Sequence, residues 1–248
     1  MNFADIPHYV IQRVNYNFKC FYKTEDLQYY LELLKEISEN EKVSIHAYAL
    51  MSNHVHLLIT SKYQDDAARM VKLLAQHYTQ YFNGEYSRKG PLWGDRFRPC
   101  LVDAQHYLLA CQRYIELSPV REGLVTHPAE YIWSSYSVNA LGERSDVLTP
   151  HAVYNALGTN KPHRIEAYRQ LFCEELETRL KDTIGRHTAS GYCLGGEGFK
   201  REISKMLGRR QLSCKADGPM EKIQVRSYDH RVRINEATEN SDLAPESQ

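Results

Sequence analysis

His54 and His56 stand one residue apart in the β-prone run 47–60, AYALMSNHVHLLIT. Side chains on a strand alternate faces, so both imidazoles point one way and Val55 the other. Two neutral imidazoles side by side can bind a divalent metal and leave coordination positions open to a substrate. An isolated pair of this kind is more often two ordinary histidines on a half-exposed strand. Tyr114 and Ser118, four residues apart, share the flank of a helical stretch whose Leu108, Cys111 and Ile115 form its apolar sector. A phenol there can lean toward a metal held by a neighbouring sheet. With 18 tyrosines in the chain, spacing alone does not single out Tyr114.

The elements that must position these groups are legible in order. A strand is predicted over Tyr9–Val14, then a helix from Thr24 with Leu27, Tyr30, Leu31, Leu34 and Ile37 at helical spacing. Val43–Met51 and His54–Thr60 flank the turn residues Ser52-Asn53, the pattern of a hairpin. A second helix starts near Asp65-Asp66 and stops at Asn83-Gly84. A short strand follows over Phe97–Val102, then a helix over Ala104–Leu117 that Ser118-Pro119 terminates. The order β-α-β-β-α-β-α predicts an α+β, ferredoxin-like split βαβ fold, an antiparallel sheet with helices on one face. Further helices are predicted near Pro150–Leu157 and Arg164–Leu180, a flexible turn over Gly191–Gly198, and a basic helix over Phe199–Leu207. This divides the chain into a domain over 1–126, a helical extension over 127–212 and a poorly structured tail over 213–248.

Thirty-one basic residues balance 31 acidic ones, which taken alone argues against a nucleic-acid partner. The average hides two basic zones, over Tyr86–Arg121 and Arg186–Arg233. The first mixes Lys89, Trp93 and Arg96 in one loop, as surfaces that neutralise phosphates and stack bases do. Six scattered cysteines without a CxxC pair fit reduced thiols. No apolar run approaches the roughly 20 residues that span a bilayer, and the first residues lack the pattern of a secretion signal. A cytoplasmic protein with no membrane partner is expected.

Four stretches together resemble the single-tyrosine HUH transposases, and most closely the REP-associated tyrosine transposases. They are Tyr48–Leu58 around the histidines, Gly90–Phe97, Arg113–Val125 around Tyr114, and Trp133–Tyr136. The similarity runs from about Pro7 to Arg210. It implies a bacterial endonuclease and strand-transferase for single-stranded or hairpin DNA. His54 and His56 would hold Mg²⁺ or Mn²⁺, and Tyr114 would form a 5′-phosphotyrosine intermediate. The position four residues beyond the tyrosine, an amide ligand in the family, is Ser118 here, so the third metal position differs. Glu116 has the right chemistry, but lies on nearly the opposite side of the helix from Tyr114. The family's Arg-Gly-Asn-Asn motif stands here as Arg13-Val14-Asn15-Tyr16-Asn17. DNA contacts are expected from Lys89, Arg96, Arg98 and Arg121 near the site and from Arg209 and Arg210, while Trp93 either stacks a base or packs in the core. Relatives work as dimers or as monomers, so both states stay open. A domesticated protein that binds DNA hairpins without cutting them is the alternative; an ordinary metal hydrolase would need a third ligand motif that the sequence does not offer.

Overall fold

A computed structural model describes residues 4–14, 18–94 and 99–207. Strands β1 (His8–Arg13), β2 (Val43–Met51), β3 (His54–Ser61) and β4 (Cys100–Leu101) form one antiparallel sheet in the order β2-β3-β1-β4. Between them run α1 (Thr24–Asn40) and α2 (Asp66–Glu85), and α3 (Ala104–Glu116) follows β4. This is the split βαβ order expected. The last strand is shorter than the predicted Phe97–Val102; Phe97 lies outside the described residues, and Val102 bridges Leu194 instead.

Strand alternation sorts the sheet's side chains. Val55, Leu57 and Ile59 of β3 join Val10 and Leu50 in a core with Tyr30, Leu34, Met70, Leu74 and Tyr78 of α1 and α2. His54, His56 and Leu58 therefore face the other way. The expectation of helices on one face is corrected here, because α3 packs against β2 and β3 on that second side. The cause is burial: nearly every residue of β2 and β3 is buried, so both faces need cover. Ala47 and Ala49, in register with Leu58 and His56, keep that face low beneath α3. The open edge of β2 is lined by the segment around Ser134, with Leu50 N donating to Trp133 O (2.9 Å) and Ser135 N to Tyr48 O (3.0 Å).

After α4 (Ser118–Arg121), helices α5 (Tyr136–Leu141), α6 (Ala152–Asn155), α7 (Lys161–Gln170), α8 (Thr178–Ser190) and α9 (Glu197–Leu207) follow. The helix predicted over Arg164–Leu180 corresponds to α7, which ends at Gln170; α8 begins at Thr178 and lies almost wholly beyond the predicted bounds. The apolar residues that would have continued it belong to the connection: Phe172 packs on Tyr136 and Tyr168, and Leu176 is buried. No helix of the described residues is long and apolar enough to cross a membrane.

Glu116 is fully buried on the side of α3 away from Tyr114. Its carboxyl accepts from Ser135 Oγ (2.6 Å), Asn139 Nδ2 (2.8 Å) and Tyr168 Oη (2.8 Å), which ties α3 to α5 and α7. Burial pushes this carboxyl up to about 7 against the three donors, which favour the charged form. The folded state thus holds a proton that the unfolded chain releases near about 4.3. Stability from the neutral acid is present below that value and is lost as pH rises toward 7. Compared with Glu116→Gln, the wild-type protein is expected to lose roughly 3 kcal/mol between pH 5 and pH 8, measurable as the pH dependence of the difference in urea-unfolding free energy.

Candidate active site

The two-residue turn at Ser52-Asn53 starts β3 with His54, and alternation brings His56 to the same side. The two Nε2 atoms face each other at 2.9 Å, and the rings stand at 86°. His54 Nδ1 is 2.6 Å from Asn53 Oδ1, which can only accept, so the proton sits on Nδ1 and Nε2 is bare. His56 then donates from Nε2 to His54, and its Nδ1 accepts from the buried Tyr9 hydroxyl at 3.0 Å. Burial first, then Arg13 and Arg121, push His54 down to about 3. His56 is driven well below the ordinary imidazole value by burial, by His54 and by the same two arginines. Both rings are therefore neutral, with two cations trained on them.

Tyr114 projects from α3 on this same side of the sheet. Its ring meets Tyr9 edge-on, with centroids 6.3 Å apart, and Tyr9 in turn lies 5.8 Å from the His56 ring. Among the described residues, no hydrogen bond or ring contact joins Tyr114 to either imidazole. The Arg121 guanidinium covers the Tyr114 ring at 3.7 Å and donates to the Tyr114 carbonyl and, at 2.8 Å, to Ser118 Oγ. The Tyr114 hydroxyl turns toward α8, where a side chain on Gly185 would sit 3.2 Å from it. Ser118 is fully buried; its hydroxyl donates to the Tyr114 carbonyl (3.2 Å) and accepts from Arg121, so its proton and one lone pair are taken. On the Nε2 side of the imidazoles a carboxylate oxygen, Glu122 Oε1, lies 3.4 Å from His54 Nε2.

The remaining expected residues divide in three. Arg121 lies at the site. Lys89 is exposed on the loop after α2, while Trp93 packs its ring near Tyr30 and Tyr78 against the core, which accounts for it without a base. Arg96, Arg98, Arg209 and Arg210 lie outside the described residues. The sequence reading missed Tyr9 and Glu122. Nothing local marks Tyr9 among the apolar residues of β1, and Glu122 is legible only once α4 folds its turn back toward β3.

Residues 4–118 match the family profile described as transposase, IS200-like. That segment, a little under half of the chain, is what is similar to the IS200-like transposases. It contains the hairpin with His54 and His56, Tyr114 and Ser118, and it ends before Arg121, Glu122 and α8. No curated protein matches the chain. Among solved structures, one described as a REP-associated tyrosine transposase bound to a REP hairpin aligns at a TM-score of 0.48 and 16% identity, over 62% of this chain and 93% of that one.

Just beyond this matched segment, Arg121 is the clamp that keeps the Tyr114 ring covered. Arg121→Ala is expected to raise the nitration rate of Tyr114 by tetranitromethane several-fold, read by peptide mass spectrometry, with buried Tyr30 and Tyr168 unchanged. An unaltered Tyr114 rate would mean that the stack does not shield it.

Proposed function

We propose that the protein cleaves and rejoins single-stranded DNA, presented as a hairpin, through a covalent tyrosine intermediate with a divalent metal. The observation that carries this reading is the imidazole pair: two bare-capable Nε2 atoms 2.9 Å apart, their far nitrogens pinned by Asn53 and Tyr9, under the helix that bears the motif tyrosine.

The resemblance points to Mg²⁺ or Mn²⁺; two imidazoles alone suit softer divalent ions better, so oxygen ligands must complete the shell of either ion. Octahedral geometry with bonds of about 2.1 Å separates adjacent ligands by about 3.0 Å, close to the spacing of the two Nε2 atoms. Among the described residues no three His, Cys, Asp or Glu side chains form a ready cluster, so water and phosphate oxygens would complete the shell, as such ions allow. His54 and His56 would hold the ion, and a small rotation would add Glu122; the engaged Ser118 hydroxyl is the poorer donor. To free its Nε2, His56 shifts its proton to Nδ1 and donates it to the Tyr9 oxygen, the outer-shell hydrogen bond that fixes ring orientation. Tyr9→Phe and Glu122→Gln are each expected to weaken Mn²⁺ binding on the order of tenfold, by calorimetry, with Ser118→Ala within about twofold of wild type.

The bound ion would neutralise phosphate charge and polarise the P–O bond. Arg13 and Arg121 add fixed positive potential beside it. Tyr114 must leave Arg121 and turn from α8 to the imidazole side. Its oxygen then bonds to phosphorus, its proton passes to water, and the bond to the 3′ oxygen breaks. A 5′-phosphotyrosine and a free 3′-hydroxyl result, and the reverse attack rejoins strands with no outside energy source. The covered tyrosine equally suits a protein that binds hairpins without cutting. One experiment separates the two: incubation with 3′-labelled hairpin DNA and Mn²⁺, followed by denaturing electrophoresis. A conjugate is expected that Tyr114→Phe abolishes and His54→Ala lowers at least about 100-fold, given what a metal contributes to phosphoryl transfer. Retained DNA affinity with no conjugate would establish the binding protein instead.

A further inference from the structure

Against the Tyr114 hydroxyl lies an open cavity of about 750 Å³, lined by Tyr114 and by Thr178, Arg179, Lys181, Asp182, Gly185 and Arg186 of α8. Three cations face one acid. We propose that this face of α8 is the backbone track for the single strand beside the attacked phosphate, with Arg179 and Lys181 as its phosphate-binding residues. The proposal rests on the DNA-processing reading and adds an element outside the matched segment 4–118.

Four observations support it. α8 packs against β1, β4 and α3, the elements that carry Tyr9 and Tyr114, so its outer face is fixed relative to the tyrosine. Among the described residues neither Arg179 nor Lys181 forms an ion pair, although Asp182 stands one turn from Arg179; both ammonium and guanidinium are left for an outside anion. Glu177, at the start of α8, makes no side-chain cap, so the first amides of this 13-residue helix and the positive end of its dipole also point outward. Gly185 leaves the approach to the Tyr114 oxygen open, where a larger residue would close it. A strand laid here would place successive phosphates on Arg179 and Lys181, leading from the α8 side of Tyr114 toward the phosphate held at the imidazoles. Such contacts hold the backbone without reading bases.

Because backbone contacts are independent of sequence, a fluorescein-labelled dT20 oligonucleotide serves as the probe. The comparison uses the full chain carrying Tyr114→Phe, so that binding is read without cleavage. Adding Arg179→Gln and Lys181→Gln is expected to weaken binding at least tenfold in 100 mM NaCl. It should also lower the slope of log K against log salt by about 1.4, two contacts at about 0.7 each for single strands. Arg169→Gln on α7, which removes a charge elsewhere, should leave affinity and slope unchanged. Equal affinity of the α8 double variant and the Arg169 control, or no binding of dT20 by the parent, would overturn the proposal. Loss of the covalent conjugate in the wild-type chain while this salt-dependent binding persists would instead overturn the cleavage reading and leave the α8 track standing. Circular dichroism melts of the double variant check that substituting exposed Arg179 and half-buried Lys181 leaves the fold intact.

Discussion

The alternation of β3 is the constraint on which the rest depends. Val55, Leu57 and Ile59 are needed on one side to close the core with α1 and α2, so His54 and His56 have no choice of face. A slip of one residue would bury the imidazoles in that core and put the aliphatic side chains under α3. The sheet therefore fixes the histidines with the full energy of its apolar face, and the site need not supply its own rigidity. Burial then keeps both rings neutral, the state a metal ligand requires.

The second consequence concerns the opposite face. A sheet buried on both sides needs cover beyond α1 and α2, and α3 provides it, bringing Tyr114 to the imidazole side. The same helix turns Glu116 away from the site into a buried network with Ser135, Asn139 and Tyr168. One side of α3 thus anchors the later helices and the other presents the phenol. In the resting arrangement that phenol is covered by Arg121 and directed at α8, so the proposed reaction would need a side-chain movement toward the imidazoles rather than a refolding of the sheet.

The hairpin, the strand order and the pairing of His54 with His56 are legible in the amino-acid sequence, because they follow from alternation and turn chemistry, which are local. The placement of α3 on the second face is not, because it depends on how completely β2 and β3 are buried, a tertiary quantity. Helix α8 is hidden for a different reason. Its buried side is built of Thr183, Ile184, His187 and Thr188, so its inward face repeats at helical spacing but carries one strongly apolar residue. Trp93 shows the converse: a tryptophan in a basic loop suits base stacking or core packing equally until Tyr30 and Tyr78 are seen beside it. Tyr9 carries no signal at all in sequence, since its role arises from the register that sets it diagonally from His56.

The central claim is that Tyr114 can travel from α8 to the imidazole pair. Its most direct test is ¹⁹F NMR of protein carrying 3-fluorotyrosine at position 114, recorded with Mn²⁺ and with Mn²⁺ plus hairpin DNA. Paramagnetic broadening falls off steeply with distance from the ion. Because the Tyr114 and His56 rings are already linked through Tyr9 by centroid distances of 6.3 and 5.8 Å, Mn²⁺ alone broadens the resonance, and the account predicts clearly greater broadening once the hairpin is added. Equal broadening in the two samples, with binding of each confirmed, would mean that the phenol does not move toward the metal and would contradict the account.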